Sequence, residues 1–152
     1  MQVTFYLLQQ QSSQAVKSFV CKLTEKAWTS GMKVHIHTDN QIQSETYDRL
    51  LWEWREDSFI PHEIKKQNNN DDQNSISTPV TISHINPGKP EENTLLINMA
   101  RKIPAFYRDF DRTCEVVDKS PGPVEILREK FKAYQKDGIK PEAHDIAAGK
   151  RL

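Results

Sequence analysis

Arg128, Phe131 and Lys132 are spaced so that a helix would place two cations and an aromatic ring on one side. Val124 and Gln135 extend that side by one turn in each direction. A guanidinium can hold a carboxylate through two parallel hydrogen bonds, and an apolar floor beside it can accept an aromatic side chain. The pattern therefore fits a peptide that ends in an aromatic residue with a free carboxylate. The alternative is an amphipathic helix whose cations are ordinary surface charge.

A second cluster of large side chains, Trp52, Trp54 and Phe59, lies where a helix is predicted to end. Pro61 favours an extended conformation at Ile60, so the helix must end earlier and Phe59 lies on the connecting segment. The chain has three Trp residues, and two of them fall here. Large aromatic residues on a rigid turn are typical of the centre of a protein–protein interface. The alternative is that all three cover the core.

Patterns for metal binding and catalysis are weaker. His35 and His37 lie on one face of a predicted strand and could ligate a metal, but no third ligand follows at a recognisable spacing. Their other interpretation is a strand face that meets polar neighbours or solvent. Cys21 and Cys114 lie far apart in apolar segments, which fits buried thiols in a reducing compartment. With no GxSxG motif either, we predict no catalysis, no metal and no cofactor.

Glycine placement argues against the common nucleotide-binding loops. The five glycines form neither GxGxxG nor GxxxxGK[ST]. The turn after the first predicted strand, Gln9–Ser13, has no glycine and no basic residue, so its backbone cannot readily approach a pyrophosphate. A nucleotide-binding α/β enzyme is therefore kept only as an alternative. Direct binding of nucleic acid is another alternative, favoured by the basic last helix and disfavoured by a net charge of +0.

Strand and helix patterns alternate along the chain and predict an α/β fold with a mostly parallel central sheet flanked by helices. This is a Rossmann-like three-layer sandwich without a nucleotide-binding loop, and the first strand, helix and second strand form a βαβ unit. The predicted strands are Val3–Leu8, Lys33–Thr38, Pro79–Ser83, Thr94–Asn98 and Thr113–Asp118. The predicted helices run from a cap at Ser12 or Ser13 to Gly31, from a cap at Asp39 or Asn40 through Leu51, over Ile103–Phe110, and over Val124–Asp137.

Length and local composition predict one domain. A chain of 152 residues suits a single core, which we place in residues 1–138. The segment at about 65–78 is polar and predicts a flexible surface loop, and residues 139–152 predict a loosely ordered C-terminal tail. The apolar run Val3–Leu8 is too short for a signal peptide or a membrane span, so we expect a cytoplasmic protein without membrane contact.

These segments together resemble one family, the chi subunits of bacterial DNA polymerase III holoenzyme, which are accessory proteins of the clamp-loader assembly. The resemblance covers nearly the whole length. The Ser-Phe-aliphatic-Pro-His and Arg-x-x-aromatic-Lys-Ala-Tyr strings carry most of the specificity in combination. The matching segments are Thr4–Leu8, Ala27–Gly31, Leu51–Trp52, Ser58–His62 and Arg128–Tyr134.

The resemblance implies a non-catalytic adaptor in DNA replication. Proteins of this family bind the psi subunit, which tethers them to the clamp loader. They also bind the acidic, phenylalanine-terminated tail of single-stranded DNA-binding protein, so their contact with nucleic acid is indirect. In some relatives a helicase competes for the psi face. The psi-binding residues that the resemblance implies here are Trp52, Phe59, Ile60 and Pro61.

The same resemblance implies a pocket for the tail on the last helix, made by Val124, Arg128, Phe131 and Lys132. The sequence departs from the family at two of these positions. Family members often carry a lysine where Val124 stands and a tyrosine where Phe131 stands. One cation and one hydroxyl are then missing, which would weaken tail binding or shift the charge to Lys130 or Lys119.

Overall fold

A seven-stranded sheet forms the centre of the fold, and every described strand pair in it is parallel. The computed structural model describes residues 1–9, 11–54, 59–65 and 78–146. The strands are β1 (Gln2–Leu8), β2 (Lys33–His37), β3 (His62–Ile64), β4 (Val80–Ser83), β5 (Thr94–Asn98), β6 (Arg112–Asp118) and β7 (Glu142–Ile146). Their order across the sheet is β3-β4-β2-β5-β6-β1-β7.

Two of the helices begin at polar caps for which the sequence offers two candidates each. They are α1 (Ser13–Thr29), α2 (Gln41–Glu53), α3 (Pro121–Lys136) and a 3₁₀ helix over Ala105–Asp109. The Ser12 side chain accepts a hydrogen bond from the Ala15 N–H at 3.2 Å, and the Asn40 side chain accepts one from the Gln43 N–H at 2.9 Å. Ser12 and Asn40 are therefore the caps, since each satisfies a backbone donor of the first turn.

The sheet separates two hydrophobic clusters, which gives the predicted three-layer architecture. Leu95 and Ile97 of β5 pack into a cluster with α1 and α2, whereas Leu96 packs into a second cluster with Tyr134 of α3 and Tyr107 of the 3₁₀ helix. This alternation follows from the strand period of two, which sends successive side chains to opposite faces. The α/β prediction is confirmed.

Several local predictions need correction. The predicted helix Ile103–Phe110 is instead the 3₁₀ helix Ala105–Asp109, with Pro104 at its N-cap position. The predicted βαβ unit is present, with β6 and β5 lying between its two strands in the sheet. The strand β3 was not predicted, since three residues are too short to show a period.

The largest correction concerns the segment after Ile139, predicted as a loosely ordered tail. Residues Glu142–Ile146 form β7, which pairs in parallel with β1. Four of its five side chains are exposed, so no apolar alternation marks it in the sequence. The open edge of β1 instead recruits it through backbone hydrogen bonds. Residues 66–77, which make up most of the predicted loop, and residues 147–152 lie outside the described residues. Within the described ranges, no helix is long and apolar enough to cross a membrane.

Candidate functional site

Two aromatic side chains form an exposed pair at one end of the sheet. Trp52 lies in the last turn of α2 and Phe59 lies just before β3. Their ring centroids are 5.1 Å apart, and the two residues are 56% and 58% exposed. We call this pair the aromatic platform. Because large apolar rings are seldom left in water at this level without a reason, the platform is a candidate binding surface.

The base of the aromatic platform is anchored by His62. The His62 ring is buried, with Nδ1 2.6 Å from the Ile60 carbonyl oxygen and Nε2 3.0 Å from the Asp48 carbonyl oxygen. The Trp52 ring packs on it with centroids 4.9 Å apart. The segment that carries Phe59 is thus tied to α2 from below, and this holds both exposed rings in place.

Ile60 and Trp54 have different roles from the platform residues. Ile60 is fully buried in the cluster under α1 and α2, so its side chain anchors the segment and is not presented to a partner. This corrects its assignment as a contact residue. Pro61 is half-buried beside it. Trp54 is partly buried against the same cluster, so one of the three predicted aromatic residues does serve the core. Residues 55–58 lie outside the described part of the chain.

The residues Val124, Arg128, Phe131 and Lys132 lie along one side of α3, which we call the α3 stripe. Its two cations face solvent. Arg128 and Lys132 are exposed, whereas Val124 and Phe131 are half-buried. The Phe131 ring packs against Phe5 of β1, with centroids 5.4 Å apart. The structure therefore places two exposed cations beside a half-buried aromatic ring on one flank of the helix.

A cavity of about 250 Å³ lies on the other flank of α3. Pro123, Ile126 and Lys130 of the helix line it, together with Met99 and Val117 from the sheet side. Residues advance by about 100° each around an α-helix, so these positions are rotated away from the stripe of Arg128 and Lys132. The helix thus offers an exposed basic flank and a recessed flank.

A buried polar network lies beneath α3 and was not predicted from the sequence. The Lys130 ammonium donates to the Glu115 carboxylate at 2.8 Å and to the Ala100 carbonyl oxygen at 2.7 Å. The second Glu115 oxygen accepts from the Tyr134 hydroxyl and from the Asn98 amide, each at 2.8 Å. Burial raises the pKa of Glu115, and the charge of Lys130 and the three hydrogen bonds oppose that rise.

One sequence signal could have found this network. Glu115 stands between the apolar residues Cys114 and Val116 in a strand predicted from its apolar pattern, so an ionised side chain buried there needs a partner. Lys130 itself gives no such signal, because it resembles any other basic residue of an amphipathic helix. Lys130 pairs with Glu115 in the interior and Lys119 pairs with Asp145 at 3.2 Å, so both cations that could replace the missing family lysine already have a carboxylate partner.

The two strand histidines do not face solvent or polar neighbours alone. His35 is stacked on Phe110 and lies 2.6 Å from the Thr81 hydroxyl through Nδ1, and His37 packs edge-on against Phe106. Burial lowers the pKa of both rings, that of His35 to about 3. The strand face does not meet solvent, because the 3₁₀ helix and Phe110 cover it, but His35 does meet a polar neighbour in Thr81, which the interpretation allowed. Within the described ranges, no three His, Cys, Asp or Glu side chains cluster as metal ligands.

The cysteines are buried, as predicted. Cys21 and Cys114 are both free thiols and each is 1% exposed. Burial raises the pKa of each thiol to about 12, which keeps the reactive thiolate form rare.

Comparison with known proteins assigns the chain to one family. Residues 1–142 match the family model described as DNA polymerase III chi subunit, HolC. The chain is 31% identical over 146 residues to the DNA polymerase III subunit chi of Pseudomonas aeruginosa, an alignment that covers 95% of this chain and 96% of that relative. It is 28% identical over 134 residues to the DNA polymerase III subunit chi of Haemophilus influenzae, covering 88% and 90% respectively. The chain belongs to the DNA polymerase III chi subunit family.

Proposed function

We propose that this chain is an adaptor with two separate protein-binding surfaces. The aromatic platform binds psi and thereby the clamp loader, and the α3 stripe binds the C-terminal tail of single-stranded DNA-binding protein. The family makes the chain an accessory subunit of DNA polymerase III rather than its catalytic subunit. Its place is then the cytoplasm, at the replication machinery, and its contact with nucleic acid is indirect.

The exposure of the aromatic platform is the single observation that carries this proposal. Trp52 and Phe59 are the two aromatic members of the small set of large apolar side chains that the described chain exposes. They are held by buried His62 and Ile60, so a partner meets preformed rings and loses little side-chain entropy on binding. A helicase that uses the same face would compete with psi.

The α3 stripe supports the second half of the proposal. Arg128 and Lys132 are both exposed and neighbour the half-buried Phe131 on the helix surface. An acidic tail that ends in phenylalanine offers a ring for the Phe131 floor and a carboxylate for the Arg128 guanidinium. The stripe holds these two cations without help from Lys130 or Lys119, so we expect tail binding that is weak and sensitive to salt.

A pulldown tests the proposal as a whole. The full chain is immobilised and exposed to extract of its own organism, and bound proteins are identified by mass spectrometry. We expect psi and single-stranded DNA-binding protein, with psi missing from a Phe59→Ala column and single-stranded DNA-binding protein missing from an Arg128→Ala column. Capture of neither protein by the wild type would contradict the adaptor function.

Arg128→Ala should weaken binding of the tail peptide by about 2 kcal/mol, since a charge-assisted contact to the terminal carboxylate is lost. Calorimetric titration of the peptide into wild type and variant measures the difference, with thermal melting as the folding control. Arg49→Ala is the matched control, because Arg49 is an exposed arginine on α2 and its loss changes the net charge equally. Equal affinities for wild type and Arg128→Ala would refute the stripe assignment.

ATP and NAD should leave the thermal midpoint of the chain unchanged at about 1 mM, because a ligand that binds the native state must raise it. The turn between β1 and α1 carries no glycine and uses Ser12 to cap α1 instead of presenting a phosphate loop. Differential scanning fluorimetry with each nucleotide measures the effect. A reproducible rise of several degrees would favour the nucleotide-binding alternative over the adaptor.

A further inference from the structure

A cavity of about 550 Å³ lies between the last turns of α1 and the sheet face formed by β6, β1 and β7. Its volume is typical of sites that bind small molecules. It is remote from both proposed protein-binding surfaces, since neither Trp52 and Phe59 nor any residue of α3 lines it. Most of its wall is apolar and comes from Leu23, Ala27, Met32, Leu95, Cys114 and Ile146.

One wall is aromatic. The Tyr6 ring of β1 stacks on the His144 imidazole of β7, with centroids 5.8 Å apart and planes inclined by 25°. The edge strand β7, which the sequence does not mark, therefore completes the cavity by carrying His144 and Ile146 to it. A flat or branched apolar body would find contact on both this wall and the aliphatic wall.

Arg112, at the start of β6, gives the cavity its charge. Its Nε atom is buried and has no hydrogen-bond partner in the described part of the chain. The described residues also place no carboxylate in a salt bridge with it, because Asp145 pairs with Lys119 at 3.2 Å and Glu142 lies 3.5 Å from His144. A half-buried guanidinium that lines a largely apolar cavity without a carboxylate partner among the described residues favours an anionic ligand.

The charge of Arg112 affects the pKa of two side chains that line the cavity, Tyr6 and Cys114. Burial raises the pKa of Tyr6 and of Cys114, and the nearby guanidinium opposes both rises. Lys26 also lines the cavity but is exposed, so water screens its charge. Asp145 also lines the cavity, but its carboxylate pairs with Lys119. One half-buried guanidinium beside this carboxylate and the apolar walls matches a single negative charge better than a phosphate dianion, whose second charge would lie without a cation.

We propose that this cavity binds a small monocarboxylate with an aromatic or branched aliphatic body, its carboxylate paired with Arg112. A carboxylate offers two oxygens to the planar guanidinium, so it can accept from two of its terminal N–H donors together. The apolar body fills the space between α1 and the Tyr6–His144 wall. This site is independent of the adaptor function and would persist if either protein-binding surface were removed.

Methionine methyl groups give a local readout for the test. The chain has three Met residues, of which Met32 lines this cavity and Met99 lines the smaller one beside α3. The full chain is labelled with carbon-13 at its Met methyl groups and titrated with hydrocinnamate to about 10 mM, a range suited to a ligand of this size. We expect a saturable shift of Met32 while Met1 and Met99 stay in place.

Three comparisons test the role of the carboxylate. Hydrocinnamide, the uncharged analogue, and the Arg112→Gln variant should each weaken binding by about tenfold, whereas Lys26→Gln should change it by no more than about twofold. Arg112→Lys keeps the charge and serves as the test if Arg112→Gln folds poorly. Its affinity for hydrocinnamate should lie between those of the wild type and of Arg112→Gln, because the ammonium lacks the planar guanidinium donors. The amide spectrum of each variant reports folding.

Several results would overturn the proposal. One is the absence of any saturable Met32 shift in the wild type. Another is equal affinity for hydrocinnamate and hydrocinnamide, which would show that Arg112 does not read charge. A third is a Met32 response to the tail peptide of single-stranded DNA-binding protein at an affinity equal to or above that of hydrocinnamate, since this would assign the cavity to a peptide terminus.

Discussion

Lys130→Met should lower the free energy of unfolding by about 3–5 kcal/mol, because it leaves the Glu115 carboxylate buried without its cation. The Lys130 side chain is 9% exposed and that of Glu115 is 1% exposed, so water cannot replace the lost partner. The Ala100 carbonyl oxygen loses a donor as well. Urea denaturation of the wild type and the variant, at equal protein concentration, measures the difference.

The loss should also depend on pH. Burial already raises the pKa of Glu115, and removal of Lys130 raises it further, above the value in the unfolded chain. The folded variant then holds its proton to higher pH than the unfolded chain does, so its stability is highest at low pH and falls as pH rises through the folded-state pKa. The deficit relative to the wild type should therefore grow from about pH 5 to about pH 8.

Lys132→Met is the control for this prediction. Lys132 is exposed on the same helix, so the same substitution there should change the free energy of unfolding by no more than about 0.5 kcal/mol. Equal stability of Lys130→Met, Lys132→Met and the wild type across this pH range would show that the ion pair does not hold α3. Loss of stability without any pH dependence would mean that packing, and not the charge of Glu115, dominates.

The same pair shows where sequence reasoning reaches its limit. The strand β5 was predicted at its observed bounds, Thr94–Asn98, because five consecutive buried residues leave little choice. The bounds of β6 were predicted to within one residue, but the role of Glu115 within it depends on which α3 residue faces it across the sheet. That is a long-range contact, and hydrophobic periodicity along one segment does not contain it.

Long-range contacts also decide two other features, the strand β7 and the burial of the residues around the aromatic platform. The exposed side chains of β7 carry no strand pattern, so only the unpaired edge of β1 explains why it forms. For Trp52, Phe59 and Ile60, the sequence supplies three neighbouring apolar residues without saying which are buried. Burial is decided by His62, whose ring fixes the path of the chain and sends Ile60 inward and Phe59 outward.

Phe59→Ala should weaken psi binding by roughly thirtyfold, since truncation of a large aromatic residue at an interface centre often costs 2 kcal/mol or more. The variant should fold normally, because Phe59 is 58% exposed and its removal leaves the buried side chains in place. It should also keep the tail peptide, since the platform lies on α2 and the segment before β3 while the stripe lies on α3. Surface plasmon resonance with purified psi and calorimetry with the peptide measure the two affinities separately.

Two further variants separate an interface residue from a core residue. Ile42→Ala removes an apolar side chain that is 76% exposed on α2 and should leave psi binding unchanged. Ile60→Ala creates a cavity beneath the platform and should lower the free energy of unfolding by about 2–5 kcal/mol. If Phe59→Ala melts as far below the wild type as Ile60→Ala does, or loses psi and the tail together, Phe59 belongs to the core and the two surfaces are not independent. Loss of psi alone from Phe59→Ala, together with loss of the tail alone from Arg128→Ala, is the pattern that only two separate surfaces produce.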